Sequence, residues 1–165
     1  GNIGAAVARR CQAFGMEVLY NKRTRFSEAQ ERERGITYAD KDELIRRADV
    51  LSLHTPLTPE TRHLIGEREL AMMKPTAILI NTARGAVVDE QALVQALKEG
   101  RIAAAGLDVF EQNDVPSPEL FALENVSLTP HIGTQTYDSR VEMVHELCNN
   151  VLGFLQGDRK IDRVN

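Results

Sequence analysis

The sequence has 165 residues, of which 42% are hydrophobic and 27% charged, the proportions of a globular protein with a sizeable core. The net charge of −4 gives no reason to expect nucleic acid or an anionic membrane as a partner, and no apolar run approaches the ~20 residues that cross a bilayer. Cys11 and Cys148 lack metal-ligand spacing, so we expect buried free thiols, no metal site and a cytoplasmic location.

Short apolar runs alternate with segments of helical periodicity along the chain. Gly15 and Gly100 are predicted to end two of the helices, and Asp40 with Glu43 to form a capping box at the start of another. Nearly continuous apolar strands between amphipathic helices indicate a doubly wound α/β domain with a parallel sheet covered on both faces. In chain order the predicted elements are helix 4–14, strand 17–20, helix 26–34, helix 40–48, strand 50–53, helix 67–72, strand 77–80, helix 89–97, strand 102–110, strand 126–128 and helix 137–155.

A glycine-rich turn, Gly1-Asn2-Ile3-Gly4, opens the first predicted helix. A dinucleotide-binding turn needs glycine where the backbone meets the pyrophosphate, and again where the helix packs closely on a strand. Gly1 and Gly4 fit these two positions, which places an earlier glycine and the central first strand upstream of residue 1. We therefore expect the first strand of the sheet to be missing from this chain. Close packing of small residues alone is the alternative explanation.

The cofactor preference follows from residues 20–25, which are Tyr-Asn-Lys-Arg-Thr-Arg. In a dinucleotide-binding fold, an acidic residue near this point normally accepts hydrogen bonds from the adenosine ribose. This segment has no carboxylate, and Lys22 and Arg23 are candidates for binding a 2′-phosphate. The sequence thus favours NADP over NAD, with a solvated basic loop as the alternative.

Two side chains that could take part in a reaction follow predicted strands, Arg84 after residues 77–80 and His131 after 126–128. The carboxyl ends of parallel strands are where such folds place their active sites. An arginine there can bind a carboxylate through two parallel hydrogen bonds, and a histidine can exchange a proton near neutral pH. Together they suggest chemistry on a 2-oxo or 2-hydroxy acid. The other histidines are expected to be structural or ordinary surface residues: His54, His63 and His145.

Five motifs occur together in a fixed order: Gly-Asn-Ile-Gly at 1–4, His-Thr-Pro-Leu-Thr at 54–58, Ile-Asn-Thr-Ala-Arg-Gly at 80–85, Gly-Leu-Asp-Val-Phe at 106–110 and Pro-His-Ile-Gly at 130–133. Through these five motifs the chain resembles the D-isomer-specific 2-hydroxyacid dehydrogenases, especially the glyoxylate/hydroxypyruvate reductase branch. The resemblance implies a Rossmann-like NAD(P)-binding domain over 1–133. It also implies that a helix and tail over 134–165 return to a substrate-binding domain formed mostly by residues before Gly1, so this chain alone is expected to be inactive.

The resemblance implies hydride transfer between NAD(P)H and a small 2-oxo acid such as glyoxylate or hydroxypyruvate, giving a D-2-hydroxy acid. Arg84 would bind the substrate carboxylate, and His131 would be the general acid. The complete protein would be a homodimer. The alternatives are a cofactor-sensing, corepressor-like protein and an inactive truncated product. The remaining cofactor contacts implied by the resemblance are Asn2, Ile3, Thr55, Pro56, Thr61, Thr82, Asp108 and Gly133.

One position departs from the family pattern. A glutamate usually follows the Leu-Asp-Val-Phe segment in the family and hydrogen-bonds the catalytic histidine, but Asn113 stands there in this chain. Asn113, a third catalytic candidate, can orient the ring of His131 but cannot stabilise its protonated form by charge. A shift of one or two residues would instead bring Glu111 or Asp114 to His131, and the sequence leaves both possibilities open.

Overall fold

The computed structural model describes residues 1–112 and 115–157. Its strands are β1 (Leu19–Tyr20), β2 (Thr37–Tyr38), β3 (Val50–Leu53), β4 (Ile78–Asn81), β5 (Ala104–Leu107) and β6 (Val126–Leu128). Its helices are α1 (Asn2–Ala13), α2 (Glu28–Arg34), α3 (Lys41–Arg47), α4 (Glu67–Met72), α5 (Glu90–Lys98), α6 (Pro118–Phe121) and α7 (Tyr137–Leu155), and a 3₁₀ turn spans Gly85–Val87. The ladders in this part of the chain are parallel, as the alternating pattern predicts.

Four strands form one sheet in the order β3-β4-β5-β6. Its register sets Leu53 beside Asn81, Asn81 beside Leu107, and Leu107 beside Leu128, so the four strands end at the same level. β1 pairs with β2 in a separate two-stranded sheet, and within the described ranges β1 and β3 are not paired with each other.

The core lies between the four-stranded sheet and its flanking helices. Leu79 in β4 is fully buried, and Leu93 and Leu97 are buried on the inner face of α5. Asp89 begins α5, because its side chain accepts a hydrogen bond from the Ala92 amide at 3.0 Å. Gly100 follows the helix with φ of +65°, a left-handed conformation that glycine adopts without strain. The doubly wound α/β class is confirmed.

Several details differ from the prediction. The strands are shorter than their apolar runs, most clearly β5, since Val109 and Phe110 are buried but lie in the segment after the ladder. β2 and α6 were not predicted. Asp40 caps α3, because its carboxylate accepts a hydrogen bond from the Glu43 amide. The Glu43 carboxylate bonds Arg47 and not the Asp40 amide, so the prediction of a complete capping box is wrong.

The thiols also differ from expectation, since Cys148 is exposed and Cys11 is only half-buried. The prediction that both thiols are buried is therefore wrong. None of the helices in the described ranges combines the length and apolar character needed to cross a bilayer.

The chain divides into two compact units, Gly1–His131 and a second that begins at Ile132. The second unit contains α7, which has the predicted bounds. The helix begins after Thr136, whose hydroxyl accepts a hydrogen bond from the Ser139 amide. Its predicted apolar positions are not buried in this chain, with exposed fractions between 36% and 74% at Val141, Val144, Leu147, Val151 and Leu155.

Candidate active site

The site lies at the carboxyl edge of the four-stranded sheet. Because β4, β5 and β6 end at one level, the segments that begin at Thr82, Asp108 and Thr129 leave the sheet side by side. Neighbouring strands are about 4.8 Å apart, so the first and third of these segments start about 10 Å from each other. Arg84 and His131 lie on those two segments, and both residues are at least partly exposed. The predicted location of both residues at this edge is confirmed.

Asn81 shapes the segment that presents Arg84. Its buried side-chain amide donates to the Arg84 carbonyl at 3.0 Å, and its side-chain oxygen accepts from the Ala83 amide at 3.0 Å. The two bonds close a tight turn directly after β4. Sequence reasoning missed this role, although a buried run that ends in a polar residue was the available signal.

The turn also brings Gly85 against the segment after β5. A Cβ at Gly85 would lie 1.8 Å from the Phe110 carbonyl oxygen and 2.6 Å from the Glu111 nitrogen. No side chain fits there, so a glycine must follow Arg84. The main chains after β4 and β5 are in direct contact at this point.

Asp108 and Thr129 connect the ends of β4, β5 and β6. The Asp108 amide donates to the Asn81 carbonyl at 3.0 Å, and the Thr129 hydroxyl donates to the buried Asp108 carboxylate. The Thr129 amide donates to the Leu107 carbonyl at 2.9 Å, which extends the β5–β6 ladder by one residue. Asp108 thus holds the start of the segment that leads to His131.

His131 has a left-handed backbone, with φ of +54°, and its amide donates to the Thr129 carbonyl at 3.1 Å. This conformation is uncommon outside glycine, asparagine, aspartate and histidine. It makes the chain turn sharply two residues after Thr129. The exposed ring is therefore presented from a tight turn rather than from an extended loop.

Asn113 and Asp114 lie outside the described residues. Glu111, the other carboxylate considered as a partner for His131, bonds Arg62, His63 and the Glu90 amide instead. His63 is exposed, as predicted, but it is also tied into the structure, because its ring bonds Glu111 and its backbone is left-handed with φ of +50°.

The glycine turn at the start of α1 offers free backbone donors. Gly1 precedes the helix without a side-chain cap, and the first turn has no acidic residue, so the amides of Asn2, Ile3 and Gly4 are available to an anion. A Cβ at Gly4 would lie 3.4 Å from the His54 ring, so this glycine permits close packing. His54 also bonds the Ser52 hydroxyl at 2.9 Å, and burial lowers the pKa of its ring. Its contacts are those of a structural residue.

The segment after β3 supplies further candidate contacts. The Thr55 hydroxyl is buried and has no hydrogen-bond partner in the part of the chain that the structure describes. A buried polar group without a partner is costly, so this hydroxyl fits a site that a bound cofactor completes. The Thr61 hydroxyl, in contrast, donates to the Pro56 carbonyl at 2.7 Å and accepts from the Thr58 amide, so it stabilises the turn. Thr82 is exposed at the edge of the sheet, and Gly133 lies in the second unit.

The basic segment after β1 is ordered by aromatic and ionic contacts. The Lys22 ammonium lies 3.9 Å from the centre of the Phe26 ring. Arg25 binds Glu31 through two hydrogen bonds of 2.8 and 3.0 Å, and the Tyr20 hydroxyl donates to the same carboxylate. The bonds from Arg25 contribute most, followed by that from Tyr20, and together they lower the pKa of Glu31 to about 2. Arg23 is exposed and forms no hydrogen bond or ion pair with any described residue.

Residues 1–133 match the family model for the D-isomer specific 2-hydroxyacid dehydrogenase, NAD binding domain. The chain belongs to this family. The match covers the glycine turn, the Arg84 and Asp108 segments and His131, the features that the structure brings to one edge or to the start of α1. The resemblance noted in the sequence is thereby confirmed.

Individual relatives agree with this assignment. A glyoxylate reductase of Thermococcus litoralis is 52% identical over 165 residues, which are 100% of this chain and 50% of that protein. The crystal structure of the TT0316 protein from Thermus thermophilus is 44% identical, with a TM-score of 0.91 over 100% of this chain and 51% of that one. The NAD complexed form of a D-isomer specific 2-hydroxyacid dehydrogenase from Lactobacillus delbrueckii ssp. bulgaricus is 37% identical, with a TM-score of 0.86 over 100% and 53%. The chain thus spans about half the length of these relatives.

Proposed function

We propose that this chain is the cofactor-binding part of an enzyme that uses NADPH to reduce a small 2-oxo acid, glyoxylate or hydroxypyruvate, to a D-2-hydroxy acid. The main support is the common end level of β4, β5 and β6, which sets the Arg84 and His131 segments on one edge of the sheet. The glyoxylate reductase name of the Thermococcus litoralis relative supports the substrate class.

Arg84 is suited to bind the substrate carboxylate. In the described part of the chain its guanidinium makes one hydrogen bond, to the Ala83 carbonyl at 2.6 Å, and no ion pair with a carboxylate. Four of its five N–H groups are therefore available, enough for a bidentate bond to a carboxylate and a further contact to the keto oxygen. The turn formed by Asn81 and Gly85 fixes the main chain from which the guanidinium extends.

His131 is suited to protonate the keto oxygen as it becomes an alkoxide. An imidazole ring can donate a proton from a ring nitrogen, and a positioned general acid accelerates a reaction by about 10²–10⁴-fold. Arg84 would stabilise the developing negative charge on the same oxygen. The reduced nicotinamide supplies the hydride, while these two residues orient the substrate and deliver the proton.

The cofactor fits the residues at the start of α1 and after β3. The amides of Asn2 and Ile3, at the uncapped start of α1, suit the pyrophosphate, and the buried Thr55 hydroxyl, which has no partner among the described residues, could bond a dinucleotide. Arg23 is the proposed ligand of the 2′-phosphate, because Arg25 is neutralised by Glu31 and Lys22 lies over Phe26. Residues 20–25 themselves contain no carboxylate that would repel the phosphate.

The test is turnover of glyoxylate and hydroxypyruvate by the full-length protein, monitored through the absorbance of the reduced cofactor. We expect a higher kcat/KM with NADPH than with NADH. Arg23→Ser should lower kcat/KM for NADPH about tenfold and leave that for NADH unchanged. Arg9→Ser, an exposed arginine without a hydrogen bond or ion pair to the described residues, is the matched control.

His131→Asn tests the proton donor, and we expect kcat to fall by about 10²–10⁴-fold with the Kd for NADPH retained.

Equal or better efficiency with NADH would contradict the cofactor preference. Tight NADPH binding without turnover of any 2-oxo acid would favour a cofactor sensor. A homodimer and a cytoplasmic location stay predictions, which light scattering and cell fractionation of the full-length protein can check.

A further inference from the structure

Glu111 is the centre of an ionic cluster beside the proposed active site. One carboxylate oxygen accepts hydrogen bonds from the Arg62 guanidinium at 2.8 Å and the His63 ring at 2.7 Å. The other accepts from the Glu90 amide at 3.3 Å. The opposite nitrogen of the His63 ring lies 3.8 Å from the Asp89 carboxylate. The Glu111 side chain is only 18% exposed, whereas its partners Arg62 and His63 are 56% and 38% exposed, so it is the carboxylate that is largely shielded from water.

Glu90 forms the reciprocal hydrogen bond. Its carboxylate accepts from the Glu111 amide at 3.0 Å and from the Ser117 amide at 3.1 Å. Glu90 and Glu111 thereby exchange backbone-to-side-chain hydrogen bonds between the start of α5 and the segment after β5. Two like-charged carboxylates lie together here because each accepts from backbone amides and because Arg62 compensates the charge of Glu111.

The cluster connects directly to the Arg84 turn. The Phe110–Glu111 peptide is the group that a Cβ at Gly85 would strike, so the residue after Arg84 touches the main chain of Glu111. On the other side, the His63 amide donates to the Ala86 carbonyl at 2.8 Å. The Arg84–Ala86 stretch therefore lies between two segments, and the Glu111 carboxylate bonds both His63 on one of them and the Glu90 amide at the start of α5.

We propose that Glu111 is a positioning residue for substrate binding: its carboxylate clamps the segments after β3 and β5 around the Arg84 turn and so fixes the guanidinium for the carboxylate of a 2-oxo acid. This inference rests on the proposed function. Arg62 and His63 have a second effect, because they bind a negative charge that would otherwise oppose an anionic substrate nearby. Glu111 acts through Arg84 and does not touch the reacting atoms.

Glu111→Gln in the full-length protein is the direct test. The amide keeps one oxygen for Arg62 and His63 but places an NH₂ group against the Glu90 amide, so donor faces donor. Hydrogen exchange should become faster in peptides covering 82–90. The matched control is Glu124→Gln, since Glu124 is exposed and forms no hydrogen bond or ion pair with a described residue.

Kinetics separate positioning from general stability. We expect Glu111→Gln to lower kcat/KM for glyoxylate about tenfold, mainly through KM for glyoxylate, with KM for NADPH changed less than about twofold. In an Arg84→Gln background the same substitution should have less than about twofold further effect, because the group through which it acts is already gone.

Three results would overturn the proposal: unchanged exchange over 82–90, unchanged KM for glyoxylate, or full additivity with Arg84→Gln. If Glu111→Gln does not fold, His63→Asn gives the same test, since asparagine tolerates the left-handed backbone and removes the ring donor. Absence of turnover in the wild-type protein would refute the proposed function itself, and the exchange comparison would then decide whether Glu111 fixes the Arg84 turn.

Discussion

Gly85→Ala is the substitution whose effect follows most directly from the geometry. The new methyl carbon would lie 1.8 Å from the Phe110 carbonyl oxygen and 1.9 Å from its carbon. Non-bonded carbon atoms prefer separations of about 3.5–4.0 Å, so the two main chains must separate by about 1.5 Å. Neither partner is a flexible side chain that can rotate away. The displacement therefore moves Arg84, the adjacent residue.

The size of the effect can be derived from that displacement. A misplacement of about 1 Å in a positioning contact costs about 10²-fold in rate, so we expect kcat/KM for glyoxylate to fall at least about a hundredfold. Overpacking of this kind also lowers the free energy of unfolding by about 1–3 kcal/mol.

The assay is steady-state turnover of the full-length variant, with thermal unfolding measured in parallel. Gly66→Ala is the matched control, since a Cβ at Gly66 would meet its nearest neighbours at 3.8 Å, an ordinary contact. Gly66→Ala should keep wild-type kinetics. A Gly85→Ala enzyme with kcat/KM within twofold of wild type would show that contact between the two segments does not set the position of Arg84.

Three further substitutions test other parts of the structure. Asn81→Asp keeps the acceptor for the Ala83 amide but loses the donor to the Arg84 carbonyl, and should lower the free energy of unfolding by about 1–3 kcal/mol and reduce kcat/KM, as measured by urea titration and turnover. Leu79→Ala, at a fully buried position, should cost about 2–5 kcal/mol in the same titration without a change in the denaturant slope. Because the folded-state pKa of Glu31 is about 2 against an ordinary 4.5, its pair with Arg25 stabilises the protein fully above about pH 4.5 and progressively less as the pH falls toward 2. Glu31→Gln should flatten the fall in Tm across that window, and an identical pH dependence would contradict the assignment.

Local signals in the sequence were sufficient for much of the fold. Asp89 and Gly100 bracket α5 because an N-terminal cap and a left-handed C-terminal glycine act within one turn of the helix. The bounds of α7 follow from its periodicity in the same way. β2 was missed because it has only two residues, Thr37 and Tyr38, and exists through pairing with a strand 18 residues earlier. Such pairing has no local signature.

The location of the candidate site was predictable, but its supporting contacts were not. Arg84 and His131 could be placed at one edge because parallel strands bring their carboxyl ends together. The role of Glu111 depends on where the Phe110–Glu111 peptide meets Gly85 and where His63 lies, which are tertiary facts. The position of Glu111 near the proposed catalytic histidine in the sequence was therefore a poor guide to which groups this carboxylate bonds.

The backbone at His131 limits which residues can occupy that position. With φ of +54°, glycine, asparagine and aspartate are the alternatives that fit with little conformational cost. None of these three has a side chain that is half-protonated near pH 7. The turn thus accepts few replacements, and none of them supplies the proton donor that is proposed for His131. An alanine scan would add backbone strain to the loss of the ring, and so exaggerate the chemical contribution of the imidazole.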